Sequence, residues 1–175
     1  MKQVNKSYFR VDQKKDIVAL FPDVQQSNII HSCSQDRSIS SYDLKIEKRI
    51  NWRQTSNGAH YGMTQRQDNE LELITAGQGS PILFWDCDEK TPVAQIPYPY
   101  KVTSIKTSPS GKFLAFGTET NEVFVYSIEG HDNFKFLGKG LGHSAPVQRI
   151  AWSPDEKQLV SVSADCSISV WNFFG

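Results

Sequence analysis

The sequence predicts an all-β protein in which one unit of short strands is repeated four times. Strand-like segments recur at a nearly constant interval, and no segment shows the sustained helical period with caps that a helix needs. Each recurring segment ends in an aromatic residue. These residues are Tyr42, Trp85, Tyr126 and Trp171, which lie 43, 41 and 45 residues apart.

The interval between the aromatic residues indicates the kind of repeat. A period of 41 to 45 residues is typical of a β-propeller blade and exceeds that of ankyrin or tetratricopeptide repeats. Turn positions keep the same register, because proline beside Asp, Ser or Gly marks a tight turn between strands. Such turns occur at Pro22-Asp23, Ser108-Pro109 and Ser153-Pro154, and another turn position lies six residues before each aromatic residue, at Asp36, Gly79, Thr120 and Asp165.

Each repeat divides into four short strands, which places repeats at about 7–43, 46–86, 93–127 and 134–173 of the 175-residue chain. The predicted strands are Ser7–Val11, Asp16–Phe21, Asn28–Cys33 and Ser38–Asp43 in the first repeat; Ile46–Ile50, Ala59–Thr64, Leu71–Ala76 and Pro81–Asp86 in the second; Val93–Ile96, Val102–Thr107, Lys112–Gly117 and Glu122–Ser127 in the third; and Phe134–Leu137, Val147–Trp152, Gln158–Ser163 and Ser167–Phe173 in the fourth.

Composition excludes several classes of function. Basic and acidic residues both number 19, so the chain lacks the basic stripe that nucleic-acid binding needs. No apolar run is long enough to span a membrane, and the N-terminus has no apolar signal region. The three cysteines, Cys33, Cys87 and Cys166, form no C-x-x-C pair. We therefore expect a cytoplasmic protein with reduced thiols and neither a nucleic-acid nor a membrane partner.

No motif predicts catalysis. The segment Gly138–His143 departs from G-x-G-x-x-G and precedes a strand, so we interpret it as an interblade loop. Asp86-Cys87-Asp88 lacks a further ligand at loop spacing, and Gly142–Pro146 lacks the second glycine of a nucleophile elbow. The prediction is a protein that is not an enzyme and has no cofactor and no metal.

The fourth repeat carries family motifs: Gly142-His143, Trp152-Ser153-Pro154-Asp155, Ser161–Asp165 and Trp171-Asn172. With these motifs the sequence resembles the WD40 family across essentially the whole chain. The resemblance implies a β-propeller of four blades and a hydrogen-bonded tetrad inside the last one. Its expected members are His143, Ser161 (or its same-face neighbour Ser163), Asp165 and Trp171.

The other repeats depart from that pattern. Lys14, Asn57 and Tyr98 stand where the fourth repeat has His143, and Gly79 and Thr120 replace the turn aspartate. We therefore expect a full tetrad in the fourth blade alone, with the other blades held mainly by apolar packing.

The number of blades sets a further expectation. Propellers of this family usually have seven, so four blades are expected to be part of a larger propeller rather than a closed four-blade ring. The first blade, near Ile17 and Ile29, and the fourth, near Ile150 and Val160, should then pack against β-sheet material outside residues 1–175. The strand Ser7–Val11 should pair with that material or with the outer edge of the fourth blade.

The resemblance implies a protein-binding scaffold that is one subunit of a larger assembly. Its final repeat is similar to WD40 proteins of cilia and centrioles, which implies a structural role in an axoneme or basal body, with tubulin or microtubule-associated proteins as neighbours. The alternative is a soluble adaptor that recognises short peptide motifs. The loops that lead into the second predicted strand of each repeat are the candidate binding face, and one or both of the tyrosines there could instead simply cover a blade edge. The candidate residues are Lys14, Lys15, Arg53, Tyr98, Tyr100 and Lys101.

Overall fold

The computed structural model describes residues 13–55, 58–66, 72–86, 89–130 and 133–173. In these ranges the chain forms fifteen β-strands in four antiparallel sheets and no helix, which confirms the all-β prediction. Sheet 1 contains β1 (Ile17–Pro22), β2 (Ile29–Ser34), β3 (Ser38–Asp43) and β4 (Lys48–Gln54); sheet 2 contains β5 (Ala59–Gln65), β6 (Glu72–Gln78), β7 (Ile82–Asp86) and β8 (Ala94–Ile96); sheet 3 contains β9 (Val102–Thr107), β10 (Phe113–Thr118), β11 (Glu122–Ser127) and β12 (Lys135–Leu141); sheet 4 contains β13 (Val147–Trp152), β14 (Gln158–Ser163) and β15 (Ile168–Asn172).

The strands pair in sequence order within each sheet, so the sheets are offset from the sequence repeats by one strand. The first strand of repeats two, three and four is the outer strand of the sheet before it. The predicted first strand of the chain, Ser7–Val11, lies outside the described residues. Sheet 4 consequently has three strands within the described part of the chain.

The four repeated aromatic residues occupy equivalent places, as predicted. Each lies on the third strand of its sheet. Each is paired with an apolar residue of the second strand. The same register therefore recurs in all four sheets. The pairs are Tyr42 with Ile30, Trp85 with Leu73, Tyr126 with Leu114, and Trp171 with Leu159.

Three apolar cores lie between successive sheets. Cys33 and Ile39 of sheet 1 pack with Leu73 and Trp85 of sheet 2. Phe84 and other residues of sheet 2 pack against sheet 3, and three residues of sheet 3 pack on Val147, Ile150 and Leu159 of sheet 4. A fully buried side chain of this size contributes about 1.5–3 kcal/mol. The cores therefore stack the sheets in an arc that follows chain order.

The described arc is open at both ends. The first strands of successive sheets, which are the inner strands of the arc, contact one another in chain order, and sheet 4 does not close onto sheet 1. On sheet 4 the outward face includes Ile168 and Val170, which are 72% and 55% exposed. The expectation that Ile29 and Ile150 mark the open ends is wrong. Both are buried, and Ile150 packs between sheets 3 and 4 because alternation along β13 turns it towards sheet 3.

The glycine-rich segment expected as an interblade loop is also different in the structure. Its residues 138–141 belong to β12. A Cβ atom on Gly140 would lie 2.7 Å from the Trp171 ring, and one on Gly138 would touch Phe173. The glycines are therefore used for close packing of the outer strand of sheet 3 on sheet 4.

A helix long and apolar enough to cross a membrane is not found among the described residues.

Candidate protein-binding face

The loops named as binding candidates lie on one side of the arc. The loop that precedes each inner strand is hydrogen-bonded to the turn between the second and third strands of a sheet. Examples are Thr55 N to Arg37 O at 3.0 Å, and Glu119 N to Lys101 O at 3.1 Å. We define this side as the loop face, which comprises residues 13–16, 35–37, 55, 79–81, 97–101, 119–121, 142–146 and 164–167.

Sheet 4 supports the loop face with a chain of four hydrogen-bonded side chains. The His143 Nε2 lies 2.7 Å from the Ser161 Oγ, and its Nδ1 lies 3.1 Å from an Asp165 carboxylate oxygen. Trp171 donates its Nε1–H to the same Ser161 Oγ at 2.8 Å. Ser163 is not part of this chain, because its hydroxyl donates to the Ala145 carbonyl. The His143 side chain is fully buried, so these hydrogen bonds replace contacts with water.

Asp165 organises the turn above this chain. Its carboxylate accepts hydrogen bonds from the Ser167 hydroxyl and amide at 2.6 and 2.9 Å, and from the Ser144 amide at 2.8 Å. These bonds, with those of Ser167 contributing most, hold the pKa of Asp165 far below its usual range. The carboxylate is therefore ionised at neutral pH. It fixes a turn in which Cys166 takes a left-handed conformation with φ of 64°.

Sheet 1 has a polar centre of its own, built around Gln13. Ser32 donates to the Gln13 Oε1 at 3.2 Å, and the Gln13 Nε2 donates to the Ser38 Oγ at 3.1 Å. Ser38 donates in turn to Asp36 through both its amide and its hydroxyl. Sheet 1 therefore has a polar centre besides its apolar packing against sheet 2, and the sequence did not predict that centre. The repeat spacing placed Lys14 at the histidine position, whereas its neighbour Gln13, which is partly buried, supplies the hydrogen-bonding group.

Sheet 2 keeps the hydrogen bond between a tryptophan and a hydroxyl that sheet 4 has. Trp85 donates its Nε1–H to the Thr75 Oγ1 at 2.9 Å, and both residues are buried. Asn57, which the sequence places at the histidine position, lies outside the described residues. His60 is buried nearby with its Nε2 3.4 Å from the Thr55 Oγ1, and burial lowers the pKa of His60 to about 4. The imidazole is therefore neutral at physiological pH.

Sheet 3 replaces the polar centre with a cluster of aromatic rings, in which Tyr98 meets its neighbours edge to face. Tyr98 stands at the histidine position, and its ring centroid lies 5.1 Å from that of Phe116 and 5.4 Å from that of Phe124. Burial raises the pKa of Tyr98. Of the two tyrosines, Tyr98 is thus a partly buried support, whereas Tyr100 is 56% exposed and meets it edge to face. Only the latter is available to a partner.

Arg53 is not on the binding face, which corrects the sequence prediction. It is 2% exposed, and its guanidinium donates from Nε to the Glu89 carbonyl at 2.6 Å and from Nη2 to the Asp86 carbonyl at 3.0 Å. The outer strand β8 has only three residues, so the backbone beyond it needs other hydrogen-bond partners. Arg53 supplies these donors across the boundary between sheets 1 and 2.

The remaining candidates do lie on the loop face. Lys14 and Lys15 are exposed, and the Lys101 ammonium sits 4.0 Å from the centroid of the Tyr61 ring. A cation over an aromatic face is held in place by the ring's quadrupole. The structure thus brings exposed ammonium groups and one exposed tyrosine to the same side of the arc.

Comparison with known proteins agrees with this architecture. The sequence profile of the WD domain, G-beta repeat family matches residues 134–172, which hold the four linked side chains of sheet 4. The chain therefore contains a WD40 repeat, at residues 134–172. The four sheets, with their common register, have the form of WD40 propeller blades.

The proteins that this chain resembles carry different names, and three of them show the range. Protein hir-1 of Neurospora crassa is 31% identical over 87 residues, which are 41% of this chain and 8% of that protein. Echinoderm microtubule-associated protein-like 4 of Mus musculus is 23% identical over 147 residues, covering 83% of this chain and 15% of its own length. The 77 kDa echinoderm microtubule-associated protein of Strongylocentrotus purpuratus is 38% identical over 69 residues, or 39% and 10%. The chain thus spans a small part of each relative.

A second polar network of the WD40 chain was missed by sequence reasoning. It lies at the opposite end of sheet 1, where the His31 Nε2 is 3.0 Å from the Asp23 carboxylate and its Nδ1 is 2.8 Å from the Ser41 Oγ. Gln65 of sheet 2 donates to the same carboxylate at 3.0 Å and accepts from the Val24 amide at 2.9 Å. The Pro22-Asp23 turn signalled the carboxylate, but the pairing of distant strands that completes the network has no local signature.

This Asp23–His31–Ser41 order is that of a hydrolase triad, but the surroundings are those of a structural tie. His31 and Ser41 are both buried, so a substrate cannot reach the hydroxyl. Burial also lowers the pKa of His31. Within the described ranges, no three His, Cys, Asp or Glu side chains are grouped so that they could hold a metal ion. The network therefore joins sheet 1 to sheet 2.

Proposed function

We propose that this WD40 chain is a non-catalytic protein-binding scaffold and a subunit of a larger assembly. The observation that carries the proposal is the support beneath the loop face. His143, Gln13 and Tyr98 each occupy the same place under that face, in sheets 4, 1 and 3, and each is fixed by different buried contacts. A face held this firmly presents its exposed groups in fixed positions, which lowers the entropy lost when a partner binds.

The ties between sheets support the same proposal. Arg53 and the Asp23–Gln65 pair join sheets 1 and 2, the Thr107 hydroxyl donates to the Gln65 carbonyl between sheets 2 and 3, and Glu156 accepts from Ser110 between sheets 3 and 4. Every boundary in the arc therefore has polar links besides its apolar core. A partner that spans several blades would meet one rigid surface.

We further propose that the assembly is cytoskeletal, in the axoneme or basal body of a cilium, with tubulin or microtubule-associated proteins as partners. Two relatives are named as microtubule-associated proteins, and one of them matches 83% of this chain. The exposed Lys14 and Lys15 would favour a negatively charged partner. A cytoplasmic location follows from this proposal.

Co-sedimentation with polymerised tubulin tests the proposed function. We expect the chain to pellet with the polymer and the Tyr100→Ala variant to pellet less, because that exposed ring lies on the proposed face. Lys157→Ala, on a turn away from the loop face, is the matched control and should pellet as the parent does. Native mass spectrometry of the chain from cells should find it in a complex heavier than its own 19.8 kDa.

Two results would overturn the proposal at different levels. A chain that binds no polymer but sits in another protein complex would remove the cytoskeletal assignment and keep the scaffold. Binding of isolated peptide motifs without any stable complex would favour the adaptor instead.

A further inference from the structure

A groove crosses the loop-face end of sheet 1, and we define its walls as the basic groove: Lys14, Lys15, Asp36, Arg37, Trp52 and Gln54. We propose that the basic groove binds an acidic, extended protein segment that carries an apolar side chain beside its carboxylates. This inference rests on the proposed scaffold function, because it names the chemistry of a partner for the same chain.

Charge is the first observation. Lys14, Lys15 and Arg37 are all exposed, and Asp36 is the acidic residue among the described groove walls. Its carboxylate faces the chain's own donors, accepting from the Lys14 amide at 2.6 Å and from the amide and hydroxyl of Ser38. Because that carboxylate is held by internal hydrogen bonds, the exposed ammonium groups of Lys14 and Lys15 leave a positive field in the groove. A carboxylate-rich ligand complements that field.

The Asp36 carboxyl in the groove wall keeps its negative charge at neutral pH. Burial raises the pKa of Asp36, but the hydrogen bonds from Ser38 and Lys14 outweigh it, and the net effect is a lowered pKa. The carboxylate therefore stays ionised at neutral pH and keeps its three hydrogen bonds. The carboxylate fixes the turn that contains Arg37, which has a left-handed backbone conformation with φ of 73°. This turn therefore sets the position of the Arg37 Cα atom in the groove wall.

Trp52 is the second observation. It is 46% exposed on β4, directly opposite Ser40 of β3. The equivalent outer-strand positions hold polar residues: Gln95 opposite Leu83 in sheet 2, and Lys139 opposite Phe124 in sheet 3. The strand plan therefore does not require an aromatic residue here. An exposed tryptophan between cations is typical of a protein-interaction hot spot, where its ring covers an apolar side chain of the partner.

The kind of partner follows from the size of the charged set. Nucleic acid needs an array of cations that follows many phosphates, whereas the groove offers three and the whole chain is formally neutral. A short peptide segment needs fewer. The exposed Gln54 at the groove edge adds a donor and an acceptor that suit a peptide backbone.

The test uses fluorescence anisotropy with the full chain and a labelled glutamate-rich peptide that contains one leucine. The matched probe has glutamine in place of every glutamate. We expect the glutamate peptide to bind and the Lys14→Glu/Lys15→Glu variant to bind it about tenfold more weakly, as expected for two exposed charge contacts. The control Lys45→Glu/Lys48→Glu makes the same charge change elsewhere on sheet 1 and should bind as the parent does.

Two further variants cover a possible folding failure and test the role of Trp52. Lys14→Gln/Lys15→Gln adds no negative charge beside Asp36 and serves if the reversed pair fails to fold. Trp52→Ser should weaken binding by about tenfold, as loss of an aromatic hot spot does, and should abolish any change in tryptophan emission on binding. Circular dichroism confirms that each variant is folded.

The outcomes separate the groove from the scaffold. Equal binding of the two peptides, equal loss in the control pair, or tighter binding of a single-stranded oligonucleotide would each overturn the acidic-peptide assignment. If the parent chain does not bind the glutamate peptide but still pellets with polymerised tubulin in a Tyr100-dependent way, the groove is rejected and the scaffold proposal stands. Failure of both measurements would reject the two proposals together.

Discussion

The indole nitrogen of Trp171 and the hydroxyl oxygen of Ser161 lie 2.8 Å apart across two neighbouring strands of sheet 4. The same oxygen is 2.7 Å from the imidazole of His143, so one serine serves two buried polar groups. Trp85 and Thr75 repeat the pair in sheet 2 at 2.9 Å. The ten-residue interval between the partners is therefore a unit of the repeat that survives where the histidine does not.

Replacing Ser161 with alanine should destabilise the fold by about 1–3 kcal/mol, because it leaves the Trp171 and His143 nitrogens without their shared partner. Urea unfolding followed by tryptophan fluorescence measures the change. Ser169→Ala, directly opposite on β15 and partly exposed, is the matched control and should change stability by less than about 0.5 kcal/mol. Equal stability of the two variants would show that the hydrogen bonds at Ser161 contribute nothing.

Packing of sheet 3 on sheet 4 gives a second prediction. A Cβ atom at Gly140 would lie 2.7 Å from the Trp171 ring, so Gly140→Ala should force the ring to move and destabilise the fold by about 1–3 kcal/mol. The emission of Trp171 should shift as its surroundings change. Gly130→Ala has no heavy atom within 4 Å of the added carbon and provides the control. Unchanged melting in the first variant would contradict the close approach.

Arg53 leads to a third prediction about the boundary of sheets 1 and 2. Arg53→Met keeps the apolar stem and removes the donors to the Asp86 and Glu89 carbonyls, so unfolding free energy should drop by about 2 kcal/mol. Hydrogen exchange should speed up in β8, which follows the segment that contains these carbonyls. The exposed Lys48→Met on the same strand should leave exchange in β8 unchanged. A similar exchange rate in both variants would show that the hydrogen bonds of Arg53 do not hold this boundary.

The repeat was predictable because it depends on local patterns. The aromatic positions, the proline turns and the strand limits of Val147–Trp152, Gln158–Ser163 and Val102–Thr107 were all predicted from spacing and turn residues. Arg53 and Gln13 were not, because their roles depend on a short outer strand in one case and on a one-residue shift of the loop in the other. The His31 network joins two sheets, and single-sequence periodicity carries no information about such long-range pairs.

The buried imidazole of His60 gives a prediction for pH. Burial lowers the pKa of His60 from 6.5 to about 4, so in the unfolded chain this residue takes up a proton at a higher pH than in the folded chain. Between pH 6.5 and 4 the unfolded state binds more protons, and the free energy of unfolding should therefore fall as the pH falls. The contribution is fully present above pH 6.5, and about 3 kcal/mol should be lost by pH 4.

Urea unfolding of the parent and of His60→Gln across this range separates the histidine from the carboxylates. Asp23, Asp36 and Asp165 have lowered pKa values, so their contribution to stability persists above their ordinary pKa of 3.8 and declines only below it. His31, whose pKa is also lowered by burial, should leave part of the slope in the variant. Parent and variant curves that run parallel between pH 6.5 and 4 would show that His60 is protonated as readily in the folded chain as in the unfolded one, and would contradict its burial as a neutral imidazole.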